Sequence, residues 1–233
     1  MNSLNKTARI TGVLYLIITA LAPFSMMYVP SKLIVAGDAA RTAGNLLASQ
    51  GLFRLAIAGD AVVFLIEIAI VALLYVLLRP VNKTLALVAA FSRLAMTVVQ
   101  GVNLLTYLLP LMLLGGAGYL TAFEPGQLHA LVLLFLDLHG SVALVWGLFF
   151  GLHLLVLGYL VYKSGYISRV PGVALLLASL CYLVQGFGNI LLPGHSGTFA
   201  AVGFLSIVEV VFPLWLLIRG VRIHPPVTAR ADW

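Results

Sequence analysis

Four ionisable side chains stand deep inside apolar segments of this sequence: Glu67, Arg93, His153 and Glu209. Two carboxylates, a guanidinium and an imidazole are the groups with which membrane proteins hold a cation, relay protons or lock a buried ion pair. A second set lies further along the same segments: Asp60, Gln100, Asn103, Asp137, His139, Gln185 and Asn189. The spacing puts members of the two sets on common helix faces. Asp60 and Glu67 are seven residues apart, as are Arg93 and Gln100, and His139, Trp146 and His153 recur at the same interval. Gly147 and Gly151 run beside that last face in a GxxxG spacing suited to close helix packing.

The elements that must position these residues are long apolar runs. A bilayer core of about 30 Å needs about 20 helical residues. Runs of that size occur at 10–28, 52–78, 85–114, 128–162, 170–192 and 199–218, giving six spans. Pro23 is expected to kink or end the first. Counting inward at about 1.5 Å per residue from Arg79, Glu67 lies roughly 18 Å deep; Arg93, His153 and Glu209 lie roughly 15 Å from Lys83, Lys163 and Arg219. The four therefore share the midplane, and the second set forms an outer layer.

The linkers differ in kind. RPVNKT and YKSGYISRVPG are short and turn-rich, which predicts antiparallel neighbouring helices. GDAARTAGNLLASQ reads as a short interfacial helix capped by Asp38, with Arg41, Asn45 and Ser49 on one side. The long spans three and four read as tilted or projecting outward, and the outer part of span four reads alternatively as a re-entrant segment ending near Gly140. Lys6, Arg9, Arg79, Lys83, Lys163, Arg169, Arg219, Arg222 and Arg230 fall on one side, against Lys32, Arg41 and Arg54 on the other. The positive-inside rule then puts both termini in the cytoplasm. The expectation is a single integral membrane domain over 1–233, an all-α bundle of six transmembrane helices.

Composition excludes several classes. In 233 residues, 62% are hydrophobic and only 9% charged, far from the roughly one quarter charged in soluble domains. The net charge of +6 is scattered singly between apolar runs, so it reads as orientation signal and not as a nucleic-acid surface. The lone Cys181 sits in an apolar run, which leaves no disulfide framework and no cysteine metal site. Ala20-Leu21-Ala22 resembles a signal cleavage site, but the apolar run around it is long enough to span.

Sharper chemical motifs fail on context. Gly194-His195-Ser196-Gly197 has the GxSG form of rhomboid-type intramembrane proteases, yet spans five and six carry no histidine to serve as base. His139 and His153, fourteen apart, have a spacing that holds two haems in some membrane cytochromes, but no second helix supplies matching histidines. HExxH, CxxC and phosphate-binding glycine signatures are absent. His129, His195 and His224 read as interface or loop residues. No cofactor, metal or catalytic residue is assigned, and the chain reads as a non-enzyme in preference to an enzyme.

The segments RITGVLYLI, NLLASQGLFRLAIAGD, LYVLLRPVNKTLALVAAFSRL, LFLDLHG and FFGLHLLVLGYLVYKSGYISRVPG resemble domain-of-unknown-function family 4386 of bacterial and archaeal membrane proteins. The resemblance runs from Arg9 to Gly220 and is most specific in RPVNK, LFLDLHG and FFGLHL. It implies a six-helix integral membrane domain in a prokaryotic plasma membrane and lends no activity. From the residues themselves two readings lead, and an intramembrane enzyme ranks third. Glu67, Arg93, His153 and Glu209 line a polar interior that transports or binds an ion, a proton or a small molecule. Alternatively, Glu67 with Arg93 and His153 with Glu209 are structural pairs in an accessory protein whose GxxxG face docks a partner helix or a second copy. Membrane lipid is the expected surrounding in both.

Overall fold

The computed structural model describes residues 3–222, and every regular element among them is helical. Six helices are long and apolar enough to cross a membrane: α1 (Ser3–Leu33), α3 (Gln50–Leu78), α4 (Lys83–Leu113), α5 (Pro125–Lys163), α6 (Arg169–Leu191) and α7 (Ser196–Ile218). A shorter α2 (Ala39–Ala48) joins the first two. Leu65, Phe91, Leu180 and Phe204 are each more than half exposed, and such residues girdle the whole surface. An apolar exterior around a helical core, with backbone groups bonded internally, is the arrangement a bilayer demands.

Local sequence sets the helix starts. Asp38 caps α2 by accepting the Arg41 N–H at 2.9 Å, and Asn82 caps α4 by accepting from Leu85 at 2.9 Å. Glu124 and Gln127 form a reciprocal capping box at the start of α5, with Pro125 at its first position. Ser168 accepts from Val170 at the start of α6.

Three helices carry local breaks. Pro23 ends the regular α-helical ladder of α1 without ending the rod: the chain continues through a π-helical turn at Phe24–Tyr28 and then α-helix to Leu33. The widened turn accommodates the missing proline N–H without terminating the rod. The α4 ladder is interrupted at Leu104, and α7 passes through a 3₁₀ stretch at Leu205–Val210. In contrast α5 is continuous over 39 residues, so no re-entrant break occurs at Gly140. At 1.5 Å per residue it is about 58 Å long, well beyond the bilayer core. α2 packs against it, with Thr42, Ala43 and Leu46 buried, while Asn45 donates to the Leu33 carbonyl at 3.1 Å. The expected interfacial helix is therefore held against the bundle.

The spans close into a ring in chain order, with α1 packed on both α3 and α7. The closest pair is α5 with α6, where Gly158 and Gly172 face each other: a Cβ on Gly158 would lie 2.9 Å from the Gly172 carbonyl. Gly147 and Gly151 also face α6, and the Ser179 hydroxyl donates to the Gly151 carbonyl at 2.8 Å. The GxxxG face expected to dock a partner is thus occupied within the chain.

One end of the ring is tied by polar contacts. Tyr166, in the α5–α6 turn, donates to the Leu77 carbonyl at 2.6 Å and accepts the Arg222 N–H on its own carbonyl at 2.7 Å. Val221 N–H bonds Asn5 at 3.3 Å, so both ends of the described chain meet there. Of the residues read above as orientation or loop groups, His224 and Arg230 lie outside the described residues.

Candidate functional site

At the centre of the ring one cation gathers groups from the surrounding helices. Arg93 on α4 donates from Nε to Glu67 Oε2 on α3 at 2.5 Å. Its Nη1 reaches the Tyr15 hydroxyl on α1 at 2.6 Å and His153 Nε2 on α5 at 3.0 Å. The guanidinium also lies 4.8 Å from the Tyr15 ring centroid and 5.7 Å from that of Phe150, distances at which the ring faces attract a cation. Arg93 and His153 are each 1% exposed. A charge buried this deeply is tolerable only when paired and hydrogen-bonded, and these contacts pair it with Glu67 and use the Nε and both Nη1 protons.

The hydrogen bonds fix the state of His153. Its Nδ1 lies 2.7 Å from the Ala89 carbonyl, which can only accept, so Nδ1 carries a proton. Nε2 faces the Arg93 donor and must present its lone pair. His153 is therefore a neutral imidazole that orients Arg93. It does not pair with Glu209, contrary to one of the readings above; a shared depth does not bring their faces together.

Glu209 occupies the 3₁₀ stretch of α7 and receives the Tyr182 hydroxyl of α6 on Oε1 at 3.2 Å. Its Oε2 is buried with no hydrogen-bond partner among the described residues. No hydrogen bond or ion pair joins Glu209 to Arg93, Glu67 or Tyr15 among the described residues; its link to the cluster runs through Tyr182, whose ring lies edge-on to Phe150 with centroids 4.9 Å apart. One arginine thus pairs with the buried Glu67, while the half-buried Glu209, bonded by Tyr182, stays unpaired with it. Every spanning helix contributes a polar or aromatic group to this centre. Tyr15 and Tyr182 were missed from sequence because neutral tyrosines in apolar runs carry no charge signal.

The expected outer layer separates into four places. Gln100, Asn103 and His139 do meet: Asn103 Nδ2 donates to Gln100 at 3.3 Å and to the His139 carbonyl at 3.0 Å. Thr106 adds to this group, donating to the Asn103 carbonyl at 2.6 Å and lying 2.9 Å from His139 Nδ1. The His139 ring stacks on Tyr107 with centroids 3.6 Å apart. Asp60 is fully buried apart from this network, beside Ser25 of the π turn and within electrostatic reach of Tyr107. Gln185 and Asn189 lie one turn apart on α6, where Asn189 Nδ2 donates to the Gln185 backbone carbonyl at 2.8 Å and the Gln185 side chain packs on Gly203 of α7. Asp137 is exposed and does not join the layer. It precedes His139 by two residues, about 200° around the helix, so the two cannot share a face.

Other candidates resolve plainly. Ser196 is exposed at the first position of α7, as a surface turn residue. Among the described residues no cluster of three or more histidine, cysteine or acidic side chains is placed to hold a metal ion.

Comparison with known proteins adds no chemistry. An uncharacterised protein of the archaeon Archaeoglobus fulgidus is 27% identical over 173 residues, covering 74% of this chain and 88% of the relative. No solved structure matches the chain significantly. The sequence profile described as Domain of unknown function (DUF4386) matches residues 10–220, which carry all six spans and every polar group at the centre. The chain is a membrane protein with six membrane-capable helices, and it belongs to the DUF4386 family.

Proposed function

We propose that this protein moves protons or small cations across a prokaryotic plasma membrane through the Glu67–Arg93–Glu209 centre, with both termini cytoplasmic. The observation that carries this reading is the single arginine paired with one carboxylate, Glu67, while a second carboxyl group, Glu209, keeps a buried oxygen without a hydrogen-bond partner among the described residues. With Arg93 on Glu67, electroneutrality is met when Glu209 holds a proton on its carboxyl. Release of that proton leaves a carboxylate that competes for Arg93. Once Arg93 turns to Glu209, Glu67 can take up a proton from the other side. The proton is bound, handed over and replaced, and no net charge stays buried at rest. The clustering of basic loop residues at the end where Asn5 meets Val221 supports the orientation, and the archaeal relative supports the prokaryotic setting.

Proteoliposomes with a potassium diffusion potential and an internal pH dye test this directly. Wild-type protein is expected to admit protons faster than empty liposomes, and Glu209→Gln is expected to fold normally and lose the excess rate. A wild-type rate equal to that of empty liposomes, or a Glu209→Gln rate equal to wild type, refutes the proposal.

A second reading has its own observation. Arg93 is satisfied by Glu67, Tyr15 and His153 together, as a structural lock would require. Under that reading the cluster fixes the bundle in an accessory protein and no excess flux exists.

A further inference from the structure

Away from the Arg93 centre, the α1–α3 contact contains a set of buried oxygens without a hydrogen bond of ordinary geometry among the described residues. Asp60 is 0% exposed and neither carboxyl oxygen has a hydrogen-bond partner among the described residues. Ser25 is also 0% exposed, and its hydroxyl has none either. The two side chains are neighbours, yet they form no hydrogen bond of ordinary geometry. Gly59 makes room for this approach: a Cβ there would overlap the Ser25 hydroxyl.

The backbone of Ser25 is deprived as well. In a helix its carbonyl would accept from Val29, or in a π turn from residue 30. Val29 N–H instead bonds the Phe24 carbonyl, and residue 30 is a proline with no N–H. Opened helical turns that free carbonyl oxygens beside a carboxylate are a means by which membrane proteins hold cations. Two prolines, a π turn and a glycine on the facing helix together produce one here.

We propose that Asp60 and Ser25 form an internal site for a small monovalent cation of the sodium type. The donors available are all oxygens, which favours a hard cation over a transition metal. Only one carboxylate is present, so one positive charge neutralises the site, whereas a divalent ion would leave an unpaired charge in an apolar interior. Histidine and cysteine ligands are absent from the pair, and among the described residues no cluster of three or more such groups or acids is placed to hold a metal ion. Among the described residues the Asp60 carboxyl makes no hydrogen bond to the His139 network, whose histidine ring stacks on Tyr107. Asp60 lies two helical turns from Glu67 on the same face of α3, so occupancy of one changes the field at the other. The site itself does not require Glu209 to move protons.

The test is sodium-dependent stability of the purified protein in nanodiscs, followed by titration calorimetry with sodium chloride. Thermal midpoints are compared in sodium, lithium, potassium and choline chloride at one ionic strength. Wild type is expected to gain a saturable sodium-dependent rise, absent in choline, with one ion bound. Asp60→Asn is expected to remove the response. Ser25→Ala is expected to weaken sodium affinity about tenfold, the loss of one polar contact. Gly59→Ala, which displaces the Ser25 hydroxyl without touching a donor, is expected to weaken it similarly. Equal midpoints in sodium and choline for wild type overturn the proposal, as does a sodium response that survives Asp60→Asn. Stabilisation by acid with indifference to every cation also overturns it and makes Asp60 a proton carrier. Should Asp60→Asn fail to fold, the wild-type, Ser25→Ala and Gly59→Ala titrations decide. None of these readouts depends on proton flux.

Discussion

Removing either partner of the Glu67–Arg93 pair should expose how much the centre depends on charge balance. Arg93→Gln takes a donor from Glu67 Oε2, the Tyr15 hydroxyl and His153 Nε2, and leaves the Glu67 charge buried without its cation. Loss of one partner of a buried pair costs about 3–5 kcal/mol. Glu67→Gln retains an oxygen to accept from Arg93 Nε but leaves the guanidinium with neutral neighbours, so a cost near the lower end, about 3 kcal/mol, is expected. In the double variant neither charge remains. Its cost is that of imperfect neutral hydrogen bonds, about 1–3 kcal/mol. The double variant should therefore be more stable than the sum of the singles by at least roughly 3 kcal/mol. Reversible unfolding in mixed detergent micelles, followed by circular dichroism, measures all three. Singles costing under about 1 kcal/mol, with a double additive to within about 0.5 kcal/mol, would refute the claim that this pair is energetically coupled.

Other regions make separate predictions. Gly158→Val should destabilise by about 1–3 kcal/mol in the same assay, because its side chain would meet the Gly172 backbone, which cannot swing aside. Asp137→Asn should shift stability by less than about 0.5 kcal/mol, whereas His139→Ala should cost more through loss of the Thr106 contact and the Tyr107 stack. Tyr166→Phe should cost about 1 kcal/mol by removing the bond to Leu77. Burial pushes the Tyr166 phenol up to about 12 from its ordinary 10.0. The folded state therefore keeps its proton after the unfolded state has lost it. Its contribution is present below pH 10 and fades as pH rises toward 12, a slope that Tyr166→Phe should remove.

The spans were legible because apolar runs of twenty residues leave few alternatives in a bilayer, and the Asp38 cap because its side-chain chemistry is local. The meeting of Glu67 with Arg93 followed from depth and opposite charge. Rotation about each helix axis was not legible in the same way. His153 turned toward Arg93 and Ala89 instead of Glu209, and that choice is made by packing across helices far apart in sequence. Asp137 is a different failure, since its half-turn offset from His139 was available from spacing alone. The Ser25 site was hidden because a serine between apolar residues is ordinary. Its importance arises only when Pro23, the π turn and Pro30 act together on one backbone carbonyl.

The uninterrupted course of α5 gives the bundle a stiff shaft. His153 and His139 sit on that shaft about 21 Å apart, one holding Arg93 and the other bonded through Thr106 to the Asn103 region. A turn of α5 about its axis would strain both sets of bonds in the same movement, so the two levels cannot rearrange separately through this helix. Independent adjustment has to come from the helices that do bend: α1 at its π turn, α4 at Leu104 and α7 at its 3₁₀ stretch. Those joints lie beside Ser25, Asn103 and Glu209, so each break in a helical ladder falls at a polar group inside the bundle.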